Sequence, residues 1–539
     1  MAQRILQNLV GGIHRHEISK VSQSFSLNLY PETVDADQST TDKVLLSIKG
    51  TSLAMDIGEG PCRGMFRASR GDDGNPVLFG CFGSGIYAIR ETSGGFTAFK
   101  VGQVSNALSE PVHFTETGGE GTAHPHLVVV DGASVFAVDT TLSDSYMQQD
   151  WRSIQLPTRV GDETHTQKIR PSHCAYLYGY LIVNDSDTDA FYTSIQFPFE
   201  TTDENDQIIY DIFYADQSGE YGGYGFVTYA EWNPDNITAL VSNGSFLYTF
   251  GPRSVQCFSY RDDINRPFVS PDNAAESIGI RAPDSLASCG PYVAWLASSD
   301  VGQNGIYVMQ ANEKKRVSTK SIEREISRMQ FPEDAVGCFW EENQHLFYAI
   351  TFRTDKRTYV YDLAEDEWHA RESYENGSEH NLWRPQFATF AYNRIFFGNL
   401  VDGSLVYLDN DKYTEWDGLC IVRLRRGGAL YSDNSPFYCD ALNVTLNNGQ
   451  IDVPYFLEGE GADAVKKYDP QVMMRYSTDG NEWTNMELGT MGGIGRYDHQ
   501  TTWWNLGMCR FMTIEISCSD PVDFAIVSAK INASPCNIF

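Results

Sequence analysis

One pattern governs what this chain can become. Short apolar or alternating runs, each bounded by Gly, Asn or Asp, recur along its length with almost no helical periodicity between them. Such runs are strand and hairpin signals. They include VLFGCFGSGIYAIR (residues 77–90), LVVVDGASVFAVD (127–139), CAYLYGYLIVND (174–185) and ITALVSNGSFLYTFG (237–251). Later come VAWLASSDVGQNGIYVMQ (293–310), QHLFYAITFRTDKRTYVYDLAEDEWHARE (344–372) and FATFAYNRIFFGNLVDGSLVYLDN (387–410). The units share a plan: an apolar strand, a polar turn, then a second strand. Their spacing is roughly 45 to 55 residues, the period of propeller blades. About seven units fit between residues 44 and 415, with no signature dipeptide to set their register. One helix is predicted, in STKSIEREISRMQF (318–331), with Ser318 or Ser321 as cap and Ile322, Ile326 and Met329 on one face.

The expected fold is therefore all-β: a β-propeller-like body of about seven blades followed by a C-terminal β-sandwich-like domain. After Trp416 the strands lengthen, and a short arginine-rich run, RLRR (423–426), appears. The division expected is an N-terminal segment over 1–43, the propeller over 44–415 and a β-rich domain over 416–539. Residues 185–236 are acidic, aromatic and poor in strand periodicity, and read as a long loop or insertion of the kind that often serves as an interaction surface.

Charge narrows the function. Against 40 Lys and Arg stand 71 Asp and Glu, a formal net charge of −31. Such a chain repels the phosphate backbone, which disfavours ordinary nucleic-acid binding. Plain solubility explains the sign; so does the wall of a channel through which DNA must slide without sticking, since at physiological salt the field reaches only ~8 Å. The 11 cysteines are scattered singly with no CxxC pair, the usage of a chain folded in a reducing cytoplasm with Cys as apolar filler. The N-terminus lacks the apolar core of a signal peptide, and the longest apolar stretch is too short to span a bilayer.

No catalytic constellation emerges. His14, His16 and Glu17, and separately His124 and His126, place imidazoles on one face of a strand, but no further ligand cluster stands at a recognisable spacing. Surface or hydrogen-bonded histidine is the preferred reading, and no metal or cofactor is expected. NDSDTDA (184–190) has acidic oxygens at alternate positions but lacks the turn glycine and closing glutamate of a calcium loop, so it reads as a solvated turn. STDGNEWT (477–484) resembles the Asp-box of propeller glycosidases, one residue short and occurring once; no paired carboxylates accompany it. GxSxG, Walker A and HExxH motifs are absent. Arg423, Arg425 and Arg426 read either as part of a balanced surface or as a docking patch for an acidic neighbour. The chain is expected not to be an enzyme.

A collinear series of short motifs resembles the packaged-DNA stabilisation proteins of short-tailed bacteriophages, the hub or nozzle subunits of the tail. It opens with LNLYPE (27–32), KGTS (49–52) and CRGMFRASRG (62–71). It continues through the run 230–259, RPF (266–268), ESIGI (276–280), the string 345–373 ending near Trp368 and His369, and the run 473–521. Residues 185–236 look longer than in that family, and the hairpin turn reads DGN. The resemblance implies a virion protein assembled in the host cytoplasm as a homohexameric ring beneath the portal and its adaptor. The ring would extend the DNA exit channel, hold a needle or plug, accept fibres or spikes nearby, and retain packaged DNA without binding it specifically. By composition, Asp203, Glu204, Asp206 and Asp211 are candidates for an acidic lumen. The alternative is a carbohydrate-binding or carbohydrate-degrading propeller of a phage tail, which the Asp-box-like turn and the aromatic residues suggest.

Overall fold

The computed structural model describes residues 2–5, 9–16, 22–34, 42–105, 110–118, 124–159, 167–196, 212–213, 226–233, 235–263, 266–271, 274–298, 305–310, 312–375, 381–431, 435–449, 456–458, 465–467, 469–493 and 495–536. The chain is almost entirely antiparallel β-structure, in β-propeller-like form. Among the described residues, seven meander sheets follow one another, over residues 62–103, 113–153, 174–229, 239–276, 279–316, 335–370 and 385–409. The seventh takes its fourth strand from near the start of the chain: Gly50–Asp56 pairs antiparallel with Ser404–Asp409, from Ser404 opposite Asp56 to Asp409 opposite Gly50. Gly50 is required there, since a Cβ would lie 2.3 Å from the Thr414 carbonyl oxygen.

The apolar runs explain the stacking. In Val77–Phe82, His126–Val130 and Tyr180–Asn184 every residue is buried, so these strands are covered on both faces. A strand buried on both faces reads as a continuous apolar run, not as an alternation. Each pair of successive sheets shares one core. Phe79 and Val101 meet Val129; Val130 meets Leu181; Ile182 and Phe191 meet Leu240 and Phe258. Phe250 meets Trp295, Leu296 meets Tyr348 and Ile350, and Trp340 and Phe347 meet Phe397. Phe396 and Leu405 of the seventh sheet then pack on Leu78, Phe82 and Ile89 of the first, which closes the ring.

Closure leaves Gly50 and Asp409 side by side, so the ring can be inserted between the strands of a second body. That body is a two-sheet sandwich. One sheet holds Ala2–Ile5, Leu29–Thr33, Lys43–Ser47, Ala525–Pro535, Phe437–Leu446 and Thr501–Cys509. The other holds Gln23–Leu27, Arg423–Arg426, Phe511–Cys518, Gln471–Ser477 and Glu487–Thr490, and runs on into the sixth sheet of the ring through a parallel bridge between Leu27 and Ala370. Leu29, Leu45, Leu442, Ile514, Ile516 and Phe524 fill the space between the two layers. The expected separation of residues 1–43 from 416–539 is thus corrected. The N-terminal strands are interleaved with the C-terminal ones, because neither set alone covers the core.

Two further expectations change in detail. The stretch 185–236 is not one loop: Ala190–Gln196 and Phe226–Tyr229 pair with each other as strands of the third sheet. The helix runs over Lys320–Arg328 with Ile322 and Ile326 buried, but Thr319 caps it, accepting from the Ile322 amide at 3.4 Å. Ser318 instead donates to Glu323 at 2.6 Å, and Ser321 receives the Arg15 amide at 3.2 Å. All 11 cysteines are free, and eight are buried. Burial pushes the thiols of Cys62, Cys174 and Cys338 up, so they stay protonated filler.

Candidate assembly surfaces

The arginine run lies inside the protein. Arg423–Arg426 is a central strand, flanked by Gln23–Leu27 and by Phe511–Cys518. Alternation sends Arg423 and Arg425 inward, where they are 0% and 1% exposed. Arg423 donates to Ser47 Oγ at 2.9 Å, to the Asp520 carbonyl at 2.7 Å and to the Tyr413 carbonyl at 3.2 Å. Arg425 donates to the carbonyls of Leu9 at 2.7 Å and Gly12 at 3.0 Å, and to Ser24 Oγ at 2.9 Å. Arg426 grips Glu515 through two nitrogens, at 2.9 and 2.6 Å, and Arg475 holds the same carboxylate. The docking-patch expectation is corrected for Arg423 and Arg425: their donors tie the N-terminal strands to the sandwich. A buried guanidinium is tolerable only when its donors are met, as they are here by backbone carbonyl and serine hydroxyl oxygens.

The other sequence candidates resolve into local structure. His14 faces Glu367 at 3.3 Å and His124 faces Asp139 at 2.8 Å, while His126 is buried and held below its ordinary pKa by desolvation. Glu17 lies outside the described residues, as do Asp203, Glu204, Asp206 and Asp211. In the calcium-like turn, Asp185 is gripped by Arg159 at 2.7 and 3.0 Å, and Asp187 is shared between Arg159 and Arg170. Arginine occupies the oxygens a cation would need. The Asp-box-like segment is a hairpin turn in which Asp479 accepts the amides of Asn481 and Glu482, both at 2.8 Å. It belongs to the sandwich, where Trp483 lies under the guanidinium groups of Arg426 and Arg475, at 4.7 and 5.1 Å from its ring centre.

Two surfaces escaped sequence reasoning. The first is apolar. Thr501–Cys509 and Glu487–Thr490 are the edge strands of the two sandwich sheets, and the edges meet where Thr501 Oγ1 donates to the Thr490 carbonyl at 2.8 Å. On these strands Leu488, Trp504 and Met508 are 68%, 66% and 55% exposed, with Tyr438 opposite Met508 on the neighbouring strand. Large apolar side chains left exposed on edge strands are candidates for an interaction surface. The doublet Trp503–Trp504 carried the signal: one ring must face in and the other out. The second surface is a cleft of about 230 Å³ between the helix and the N-terminal strands, lined by Arg15, Gln23, Arg324, Arg328 and Arg426. Glu325 also lines it, 3.3 Å from Arg15, and Arg426 is paired with Glu515, so the cleft holds ion pairs beside Arg324 and Arg328.

Residues 214–413 match a family model described as "Bacteriophage P22 Gp10, beta-propeller". The match supports a phage tail-related family and a structural role in the virion. It spans less than half of the chain and takes in the last strand of the third sheet, the fourth to sixth sheets and all of the seventh except Gly50–Asp56. No curated protein matches. Among solved structures, the chain is similar to BBS1N in complex with ARL6DN at 9% identity and TM-score 0.37, covering 68% of this chain and 99% of that one. It is similar to the N-terminal domain of Nup159 at 8% identity and TM-score 0.36, with 71% and 98% covered. YCF48 from Cyanidioschyzon merolae gives 12% identity and TM-score 0.33, with 67% and 98% covered. Likenesses at that level do not discriminate among β-rich architectures.

Proposed function

We propose that this chain is the tail hub or nozzle subunit of a short-tailed phage. In this reading the seven meander sheets are the blades of one propeller, and copies of the chain form a homohexameric ring below the portal and adaptor. The ring extends the DNA exit channel, retains packaged DNA and docks the plug and the fibres or spikes. The observation that carries it is the family match over residues 214–413. The net charge of −31 supports it, because a channel wall of that sign lets DNA pass without adsorbing. The exposed edge with Leu488, Trp504 and Met508 supplies an apolar surface for contact between copies or with the adaptor.

Nothing favours the carbohydrate reading over this one, since the Asp-box-like hairpin lies in the sandwich and not in a propeller sheet. Asp203, Glu204, Asp206 and Asp211 remain our proposed lumen acids; reversing them to Lys is expected to give salt-sensitive DNA retention, and unchanged DNA binding would remove that assignment. The function itself is tested by deleting the gene from the phage. The expected result is heads that package DNA and then lose it, restored by the wild-type chain. Full, infectious particles without the protein would refute the proposal.

A further inference from the structure

Three residues distant in sequence meet where sheets of the ring converge. His113 begins the first strand of the second sheet, and His173 directly precedes the first strand of the third. These two strands run side by side. Asp284 comes from the short 3-10 turn Pro283–Ser285 in the fifth-sheet segment. That turn is anchored on the sixth sheet: the Ser285 carbonyl accepts from Tyr348 Oη at 2.7 Å, and Gly337 packs so closely that a Cβ would lie 2.2 Å from the same oxygen. The turn therefore reaches across from the sixth sheet to the second and third. His113 Nε2 is 3.1 Å from Asp284 Oδ1, the two imidazole centres are 3.8 Å apart, and one ligand atom from each of the three residues lies within 4.8 Å of the others.

The hydrogen-bond network behind His173 prepares one nitrogen for a ligand. Asn184 Oδ1 accepts the amides of Ser172 and His173, at 3.1 and 2.8 Å, which fixes the orientation of its side-chain amide. Its Nδ2 then donates to Ser172 Oγ at 2.8 Å and to the Ile237 carbonyl at 2.7 Å. Ser172 in turn gives its hydroxyl proton to the Thr238 carbonyl at 3.0 Å. Ser172 Oγ is left as the acceptor for His173 Nδ1–H, 3.0 Å away. In the tautomer this network accommodates, with the proton on Nδ1, Nε2 presents its lone pair to the cluster. His173 is 4% exposed, and its Nε2 has no hydrogen-bond partner. A hydrogen bond on one ring nitrogen that aims the other is the arrangement metal-ligating histidines show.

We propose that His113, His173 and Asp284 bind a divalent transition-metal ion, zinc by the chemistry of the donors, as a brace across the ring. Two imidazole nitrogens and one carboxylate oxygen suit zinc, with water completing four-coordination. His113 and Asp284 are 23% and 25% exposed at their side chains, which gives an ion a route in. The Arg353 guanidinium lies near enough to act on Asp284, and its Nε donates to the Asp334 carbonyl at 3.0 Å.

The test uses the full chain, stripped with chelator and titrated with Zn²⁺ and, separately, with Co²⁺ followed by visible absorption. One equivalent per chain with a tetrahedral cobalt spectrum is expected, together with a zinc-dependent rise in the melting temperature. His173→Ala and Asp284→Asn should each weaken binding on the order of 100-fold and abolish the rise. The wild-type titration stands even if a variant fails to fold. No stoichiometric metal in the wild type, or unchanged binding in both folded variants, would overturn the proposal and leave an ordinary His113–Asp284 ion pair.

Discussion

Replacing Arg425 with alanine separates the two roles an arginine in this strand could have. The guanidinium is 1% exposed and holds Leu9, Gly12 and Ser24 at 2.7, 3.0 and 2.9 Å. Hydrogen bonds from a charged donor contribute about 1.5–3 kcal/mol each, but relief from burying the charge offsets part of the sum. Truncation also leaves buried acceptors orphaned and a cavity behind them. The net cost is about 3–5 kcal/mol. In a sandwich of this size that is roughly a 6–20 °C fall in melting temperature. Urea unfolding followed by tryptophan fluorescence measures the loss, and sedimentation velocity measures self-association in the same samples. A variant less than about 0.5 kcal/mol destabilised, yet unable to associate, would refute the reasoning and restore the docking patch.

Three further outcomes follow from named contacts. Phe396→Ala, in the core that joins the seventh sheet to the first, should cost about 3–5 kcal/mol in chemical unfolding, and a surface-like effect would mean the ring is not closed there. Burial pushes the Glu372 carboxyl up from 4.5 to about 7, so the folded chain binds the extra proton between those values and stability falls as pH rises through that window. Glu372→Gln should therefore be neutral near pH 4 and stabilising by roughly 1–3 kcal/mol above pH 7; a pH-independent difference would contradict this. Trp504→Glu should leave the melting temperature of the isolated chain within a few degrees while abolishing association, read by light scattering; intact assembly would remove that edge from the interface.

The strands were legible because covering both faces of a sheet writes a continuous apolar run, as in YLIVN at Tyr180–Asn184. The helix was legible for the same kind of reason, since Ile322 and Ile326 fall on one face; its cap was not, because Ser318, Thr319 and Ser321 offer equivalent hydroxyls and only tertiary contacts choose among them. The arginine row misled because arginine seldom goes inside, and nothing local in RLRR shows that Leu9, Gly12 and Ser24 will supply acceptors from some 400 positions away. The sandwich was split at residue 43 for a related reason: strand pairing between chain ends leaves no mark on either end. The His113–His173–Asp284 cluster is the extreme case, three single residues with no spacing motif, brought together only by the curvature of the ring.

The proposed function requires that copies of this chain build a channel for DNA. Electron microscopy of virion-associated or recombinant protein, with class averages scored for symmetry, tests it most directly. A six-fold ring with a central opening as wide as duplex DNA is expected. A closed monomer with a deep polar pocket, in virion material as well as in isolation, would contradict it.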